Sequence, residues 1–293
     1  MIQRLSFLGF LFIAQLAWAQ DNSLQKAIEL QFNYPDSAIS IAQELIDSDD
    51  RKLSSNAFEV IGIASWIIED YASAIEAHSS SLTIRKELGY QSGVGHSYNN
   101  LGLSYQDMGD TKLAMENFLS AKDIAVEAND SSLLARVLGN IGILYEEEND
   151  IERAIDFYGQ SLEVLETLKE DRILGNTLNN IAVVYLNTGQ YEKALNFAKR
   201  SLEIRKLIND EWGIAQSLNL FGLAEYNLGN LVVSDSLFLS SLERYNYLGS
   251  PWGKSMVLGN MGQVAIKQED FDKAIFHCSE SLTLSKKHSL EWE

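Results

Sequence analysis

Apolar and small residues recur along this chain with a period of forty residues. The stretch 99–114, NNLGLSYQDMGDTKLA, returns as GNIGILYEEENDIERA at 139–154 and as NNIAVVYLNTGQYEKA at 179–194. Looser copies cover 59–74, 219–234 and 259–274. Within a copy the apolar residues fall at helical spacing, as in Ile151, Ile155 and Tyr158. A fixed period of this size indicates a repeat solenoid, in which each unit packs on the next.

Two columns of small residues fix the register of the repeats. The first column holds Gly62, Gly102, Gly142, Ala182, Gly222 and Gly262. The second, twelve residues later, holds Ala74, Ala114, Ala154, Ala194, Ser234 and Ala274. Small residues at fixed points of two helical patterns predict two helices that cross closely, because larger side chains would push them apart.

A polar turn separates the two columns in every repeat. Its residue pairs are Glu69-Asp70, Gly109-Asp110, Asn149-Asp150, Gly189-Gln190, Gly229-Asn230 and Glu269-Asp270. Gly or Asn can end a helix in the left-handed conformation, and Asp can cap the next helix. Each repeat is therefore predicted to be a hairpin of helix A and helix B. Helix A is expected near 53–68, 93–108, 133–148, 173–188, 213–228 and 253–268, and helix B near 71–88, 111–128, 151–168, 191–208, 231–248 and 271–288.

This spacing resembles the tetratricopeptide repeat (TPR) family. The family's small residue, alanine twelve residues later and aromatic four further on are seen in Ala114/Phe118 and Ala154/Tyr158. The usual unit has about 34 residues, and the longer unit here is similar to the long-repeat TPRs of Pins-type polarity adaptors and of bacterial MalT-like and Rap-like regulators. The resemblance implies an all-α, right-handed superhelical solenoid that binds a protein or an extended peptide, and implies little more about function.

The first nineteen residues have the features of a secretory signal peptide. Arg4 provides a positive charge, residues 5–16 form a short apolar core, and Ala17-Trp18-Ala19 is a cleavage site of the A-x-A type. The alternative is an uncleaved anchor helix, although the apolar run is short for a membrane span. We therefore expect an exported protein, periplasmic or secreted, with no membrane insertion in the rest of the chain.

Residues 20–293 are predicted to form one TPR solenoid. It comprises an atypical first repeat at 22–50 with Pro35-Asp36 as its turn, six repeats of 40 residues from about 53 to 288, and the start of another at 289–293. Trp212, Trp252 and Trp292 stand forty residues apart, which suggests that a longer protein continues past this chain. The alternative is a chain that ends here and dimerises through the open face of its last helix, where Ile275, Leu282 and Leu284 would be exposed.

The net charge restricts the possible binding partners, and the cysteine content restricts the possible disulfides. The net charge of −18 disfavours nucleic acids and anionic membranes as partners. The single cysteine, Cys278, cannot form an intramolecular disulfide. It falls in the aromatic column of helix B, with His78, Phe118 and Phe238, where a buried small side chain is expected.

We find no group of residues in the sequence that is typical of a catalytic or metal site. The four histidines do not pair with other ligands at metal-binding spacing, and no phosphate-binding loop or nucleophile elbow is present. The run Glu146-Glu147-Glu148 is more typical of a solvated helix end than of a carboxylate site. The sequence thus predicts no catalytic activity, no cofactor and no metal.

One polar column of helix A requires an explanation, because asparagine is only a moderate helix former. It holds Asn100, Asn140, Asn180 and Asn260, with Leu220 as the exception and with Asn99, Asn179 and Asn219 beside it. The TPR resemblance implies that these side chains bond the backbone of a peptide in the concave groove. Neighbours on that groove would be His96, Gln106, Asp107, Arg136, Glu146, Glu147, Asn176, Asn187 and Asn227. The alternative, compatible with the first, is that the asparagines bond adjacent helices.

The sequence supports two hypotheses of function. The first is an exported scaffold that binds a protein or peptide segment and has no catalytic activity of its own. The second is the periplasmic sensor region of a longer signalling protein, such as a histidine kinase or LuxR-type regulator. Asp107, Glu146 and Glu147 are expected to lie together and to favour a basic segment, unless these carboxylates serve only to keep an acidic protein soluble.

Overall fold

The computed structural model describes residues 22–168 and 170–287, and all regular secondary structure within these ranges is α-helical. The predicted all-α TPR fold is confirmed. The signal peptide predicted at 1–19 and the repeat predicted to start at 289–293 lie outside the described residues.

Fourteen helices follow one another in these ranges, two from the first repeat and twelve from the six later ones. Helix α1 covers 22–30 and α2 covers Pro35–Gln43. The A helices are α3 (Arg51–Ile67), α5 (Gln91–Asp107), α7 (Ser131–Glu147), α9 (Asp171–Asn187), α11 (Glu211–Asn227) and α13 (Pro251–Lys267). The B helices are α4 (Tyr71–Glu87), α6 (Thr111–Glu127), α8 (Ile151–Glu166), α10 (Tyr191–Leu207), α12 (Leu231–Tyr247) and α14 (Phe271–Lys287). The B helices begin where they were predicted, and the A helices begin two residues earlier.

The chain divides into two compact units, Met1–Leu144 and Tyr145–Glu293, with the boundary inside helix α7. In the first unit α2 packs on α3, α3 on α4, α4 on α5 and α5 on α6. In the second unit α8 packs on α9, and each later helix packs on the next as far as α14. Contacts between neighbours in sequence are the pattern expected of repeat proteins.

The columns of small residues allow aromatic rings to reach the facing helix. A Cβ atom on Gly102 would lie 2.5 Å from the ring of Phe118, and one on Gly222 would lie 2.6 Å from the ring of Phe238. Both rings are completely buried. The close helix crossing predicted from these columns is therefore confirmed.

The turns between helices A and B also follow the sequence prediction. The carboxylate of Asp110 accepts a hydrogen bond from the backbone N–H of Leu113 at 3.0 Å, which caps α6. Left-handed residues precede the cap: Gly109 has φ +86° and Asn149 has φ +58°. Glu69 adopts the same conformation with φ +62°, at a position where glycine or asparagine would fit with less strain.

Two predictions about individual residues were wrong. Pro35 was expected in a turn but is the first residue of α2. The other proline of the chain, Pro251, is the first residue of α13. Proline is accepted there because the first N–H of a helix has no partner within the helix. Cys278 was expected to be buried but is exposed.

The exposure of Cys278 follows from the position of α14 in the stack. Among the described elements α14 packs only on α13, so its other side is open. Ile275 and Leu282 are 66% and 54% exposed on this helix, as predicted, whereas Leu284 is half-buried. Cys278 Sγ still lies beside Gly262, where a Cβ atom on that glycine would be 2.6 Å away, so Cys278 keeps the position of the aromatic column.

Candidate functional site

The asparagine columns of the A helices form hydrogen bonds between consecutive repeats. Asn140 Nδ2 donates to Asn99 Oδ1 at 2.9 Å in the first unit. Asn260 Nδ2 donates to Asn219 Oδ1 at 2.8 Å in the second unit. We call these bonds the rungs of the asparagine ladder. For Asn140 and Asn260 these bonds confirm the alternative that the asparagines bond adjacent helices. Whether the same side chains also bind a ligand stays a prediction.

In the first unit, the asparagine ladder is connected to a buried arginine through a glutamate side chain. Asn100 Nδ2 donates to Glu59 Oε1 at 3.3 Å, and the other carboxylate oxygen of Glu59 forms an ion pair with Arg85. Arg85 also donates to the carbonyl of Gly93 at 3.1 Å and to Ser97 Oγ at 3.0 Å. Burial lowers the pKa of Arg85 to about 10, so the guanidinium remains charged at neutral pH. These bonds compensate for the cost of burying its charge.

In the second unit serine replaces asparagine where the column is interrupted by Leu220. Ser217 Oγ donates to Asn179 Oδ1 at 3.1 Å and lies 2.9 Å from Ser201 Oγ. Asn176, which was predicted to line the groove, accepts a hydrogen bond from Arg205. In the sequence, Gly139 occupies the position that asparagine holds at Asn99, Asn179 and Asn219.

The two asparagine columns differ in solvent exposure. Asn99, Asn179 and Asn219 are at most 6% exposed, whereas the column of Asn100, Asn140, Asn180 and Asn260 is half-buried. A side-chain amide has two N–H donors and an acceptor oxygen, and one rung uses only one of the donors. The half-buried column therefore has the capacity to bond a second partner while it stays fixed to its neighbour.

His96 and Arg136 lie on the A helices of the first unit, as predicted. His96 Nε2 is 3.9 Å from Asp130 Oδ2, and Ser92 Oγ donates to the same carboxylate at 2.8 Å. Burial, followed by the positive charge of Arg136, lowers the pKa of His96. His96 is thus neutral near pH 7, and Arg136 is an exposed cation.

Glu146 and Glu147 lie at the end of α7 in the second unit. Glu146 is half-buried and accepts a hydrogen bond at 3.0 Å from the hydroxyl of Tyr158, which is completely buried. Burial raises the pKa of Glu146, and the bond from Tyr158 opposes this effect. Glu147 is exposed. The Tyr158 bond holds the Glu146 carboxylate in one orientation.

Asp107 is exposed in the first unit and accepts a hydrogen bond from Trp66 Nε1. Asp107 belongs to a different unit from Glu146 and Glu147, so the prediction that these three carboxylates lie close together stays a prediction.

Of the remaining residues predicted to line the groove, Gln106 is half-buried and Asn187 is exposed. Asn227 donates to the carbonyl of Leu223 in its own helix at 2.8 Å.

Several polar contacts at this face were not predicted from the sequence. Arg85 and Arg205 occupy the same column of helix B, and both are at most 3% exposed. A charged residue recurring in a buried column is a signal that could have been found by aligning the repeats.

Within the described ranges, no group of three or more His, Cys, Asp or Glu side chains is placed to hold a metal ion. No helix in these ranges is long and apolar enough to cross a membrane.

Comparisons with known proteins agree with this architecture. Two family models described as tetratricopeptide repeat match residues 93–167 and 174–210. The apo form of RapI is 18% identical over 93% of this chain and 100% of its own, with a TM-score of 0.71. NprR in complex with its cognate peptide NprX is 15% identical over 94% of this chain and 83% of its own, with a TM-score of 0.63. No curated protein matches the sequence.

A third structure, a signal transduction ATPase with a TPR sensor from Pyrococcus horikoshii, is 14% identical over 92% of this chain, with a TM-score of 0.71. This chain covers only 42% of that protein. At these identities the similarity is one of fold. The chain is a TPR-type repeat protein, with a repeat of forty residues.

Proposed function

We propose that this chain is an exported TPR scaffold that holds an extended peptide or protein segment against its A helices. The observation that carries the proposal is the asparagine ladder. Asn140 and Asn260 are each fixed by one hydrogen bond to the preceding repeat, and both remain half-buried. Their remaining amide groups are therefore held in place before a ligand arrives, which reduces the entropy lost on binding.

The structural neighbours support a peptide as the ligand. The NprR structure contains the cognate peptide of that protein. Another neighbour is a Rap protein in complex with competence and sporulation factor. The shared fold is the basis for extending this ligand class to the A-helix face of this chain.

The charge of the chain favours a basic segment as the ligand. Glu146 is oriented by Tyr158, Glu147 is exposed beside it, and the whole chain carries a net charge of −18. Carboxylates of this kind act mainly on association rate and salt dependence. The competing explanation, that they maintain solubility, predicts no preference for lysine or arginine in the ligand.

We expect a peptide-library selection on the purified chain to return sequences enriched in lysine and arginine. Asn140→Ala should weaken the selected peptides about 2- to 12-fold, the equivalent of one net hydrogen bond. Glu147→Lys should weaken them most at low salt, because exposed charges are screened as ionic strength rises. Affinities are measured by calorimetry, with each unfolding midpoint recorded to confirm that the variants are folded.

Asn246→Ala and Glu243→Lys are matched controls, because both residues are exposed on helix α12. Neither control should change the affinity. Binders without charge preference, or equal binding by the Asn140 and Glu147 variants and their controls, would show that this face does not hold a basic peptide.

The second candidate is the sensor region of a longer signalling protein. Its support is that neighbours include the quorum sensor NprR and an ATPase with a TPR sensor. Sequencing the reading frame past Glu293 distinguishes the two. A transmembrane helix followed by an output domain would favour the sensor, and a terminal repeat followed by a stop codon would favour the scaffold.

Export is the third element of the proposal, and it rests on the order of Arg4, the apolar residues 5–16 and Ala17-Trp18-Ala19. We expect the mature protein to begin at Gln20 and to be recovered outside the cytoplasm. Intact mass and N-terminal sequencing of the secreted product test this. Ala19→Leu should block cleavage, because the site requires a small residue. A wild-type product that keeps residues 1–19 would indicate an anchor helix instead.

A further inference from the structure

The first unit contains a small cavity at the junction of helices α4, α5 and α6. Its volume is about 250 Å³, and its lining residues are Lys86, Gly89, Gln91, Val94, Tyr98 and Ile124. Val94 is only 4% exposed and Ile124 is half-buried, so part of the lining is apolar. The cavity thus combines an apolar surface with the polar ends of Lys86 and Tyr98.

The polar lining presents hydrogen-bond donors. Lys86 Nζ donates to the hydroxyl oxygen of Tyr98 at 2.8 Å. Because that oxygen accepts from lysine, the O–H of Tyr98 can donate elsewhere, and the ammonium keeps two further N–H groups. Lys86 forms no ion pair with a carboxylate of the described residues, although the chain carries 41 acidic side chains. Two adjacent hydrogen-bond donors, one of them charged, match a ligand group that only accepts hydrogen bonds.

This pair departs from the pattern of the repeats. The position of Tyr98 is occupied by leucine in every later repeat: Leu138, Leu178, Leu218 and Leu258. The position of Lys86 holds Val126, Glu166, Lys206, Asn246 and Lys286 in the repeats that follow. Leucine satisfies the packing at this column, so packing alone does not require a tyrosine. Residues that break a local pattern without a packing reason are expected at functional sites.

We propose that this cavity binds a small organic carboxylate with an apolar body. A carboxylate offers acceptors only and matches the Lys86 and Tyr98 donors, while the apolar body contacts Val94 and Ile124. The volume is below the about 300–1,000 Å³ of pockets for drug-sized ligands, so the ligand is a fragment of the size of phenylacetate. The site lies within the first unit and does not depend on the peptide-binding proposal.

Titration of the full chain with phenylacetate, followed by calorimetry and by NMR of the labelled protein, tests the proposal. A fragment of this size is expected to bind with a Kd of about 0.1–10 mM. Two ligands of similar shape are compared: neutral 2-phenylethanol and cationic phenethylamine should bind more weakly. The absence of saturable phenylacetate binding, or equal binding of the alcohol, would overturn the proposal.

Variants locate the site on the chain. Lys86→Ala should weaken phenylacetate binding about tenfold or more, as expected for loss of a charged hydrogen bond. Tyr98→Leu should also weaken it, and leucine keeps the packing used by the later repeats. Lys206→Ala is the matched control, because Lys206 occupies the same column as Lys86 and the tyrosine position of the next repeat holds Leu218. Equal effects of the Lys86 and Lys206 variants, each with an unchanged unfolding midpoint, would refute the assignment.

Discussion

Replacing Gly222 by alanine is expected to lower the free energy of unfolding by about 1–3 kcal/mol, through overpacking. The new Cβ would lie 2.6 Å from the ring of Phe238, and this ring is completely buried, so it cannot move away without displacing the core. Gly159→Ala is the matched control. Gly159 is exposed in helix α8 with no heavy atom within 4 Å of the new Cβ. There alanine should stabilise the helix by about 0.5–1 kcal/mol, because it lowers the entropy of the unfolded chain.

Chemical denaturation of the two variants measures both effects in the same compact unit. A double variant, Gly222→Ala with Phe238→Leu, isolates the clash, because the shorter side chain leaves room for the new Cβ. Alanine at 222 should then cost less than it does beside phenylalanine. A Gly222→Ala protein as stable as the wild type would mean that the two helices do not cross closely at this column.

His78→Phe is expected to stabilise the protein most at acidic pH. His78 is 2% exposed, and burial lowers its pKa to about 4 from the ordinary value of 6.5. Between these values the unfolded chain binds a proton that the folded chain does not, so the wild type loses stability as pH falls from about 6.5 to about 4. The loss amounts to about 3 kcal/mol, at 1.36 kcal/mol per pKa unit.

Phenylalanine should be accepted at this position because Phe118 and Phe238 occupy the same column against Gly102 and Gly222. It also removes the buried Nδ1 of His78, which has no hydrogen-bond partner and costs about 1–3 kcal/mol. The measurement is the free energy of unfolding of both proteins at several pH values between about 7.5 and 4. Other carboxylates and histidines titrate equally in both, so their effects cancel in the difference. A difference that does not grow on acidification would mean that His78 is not a buried neutral residue.

The fold could be predicted from the sequence because its determinants are local and repeated. The small columns, the polar turns and the period of forty residues are visible without knowledge of distant contacts. The A helices were predicted to begin two residues too late, since Asp50, Asp210 and Ser250 are the true N-caps. Aspartate and serine are favoured at this position, so the correct start was available from the sequence.

The candidate site was only partly predictable, because its contacts depend on the distance between neighbouring helices. The asparagine column was found, but the partners of its amides lie on another helix, as in the bond of Asn140 to Asn99. The pairing of Arg85 with Glu59 also joins residues on different helices. The burial of Cys278 was predicted wrongly for the same reason. Whether its side chain is buried depends on what packs against the outer side of α14, and its position in the column does not determine this.

The asparagine rungs bear on how the gene for such a protein can change in length. Each rung joins residues 41 positions apart, and thus always connects one repeat with the one before it. Duplicating or deleting one whole unit of forty codons brings two equivalent surfaces together again, so the new junction can re-form a rung. At Leu220 the rung is missing, and the bond from Ser217 to Asn179 takes its place. Point mutations can therefore specialise single repeats without affecting the joining of the others.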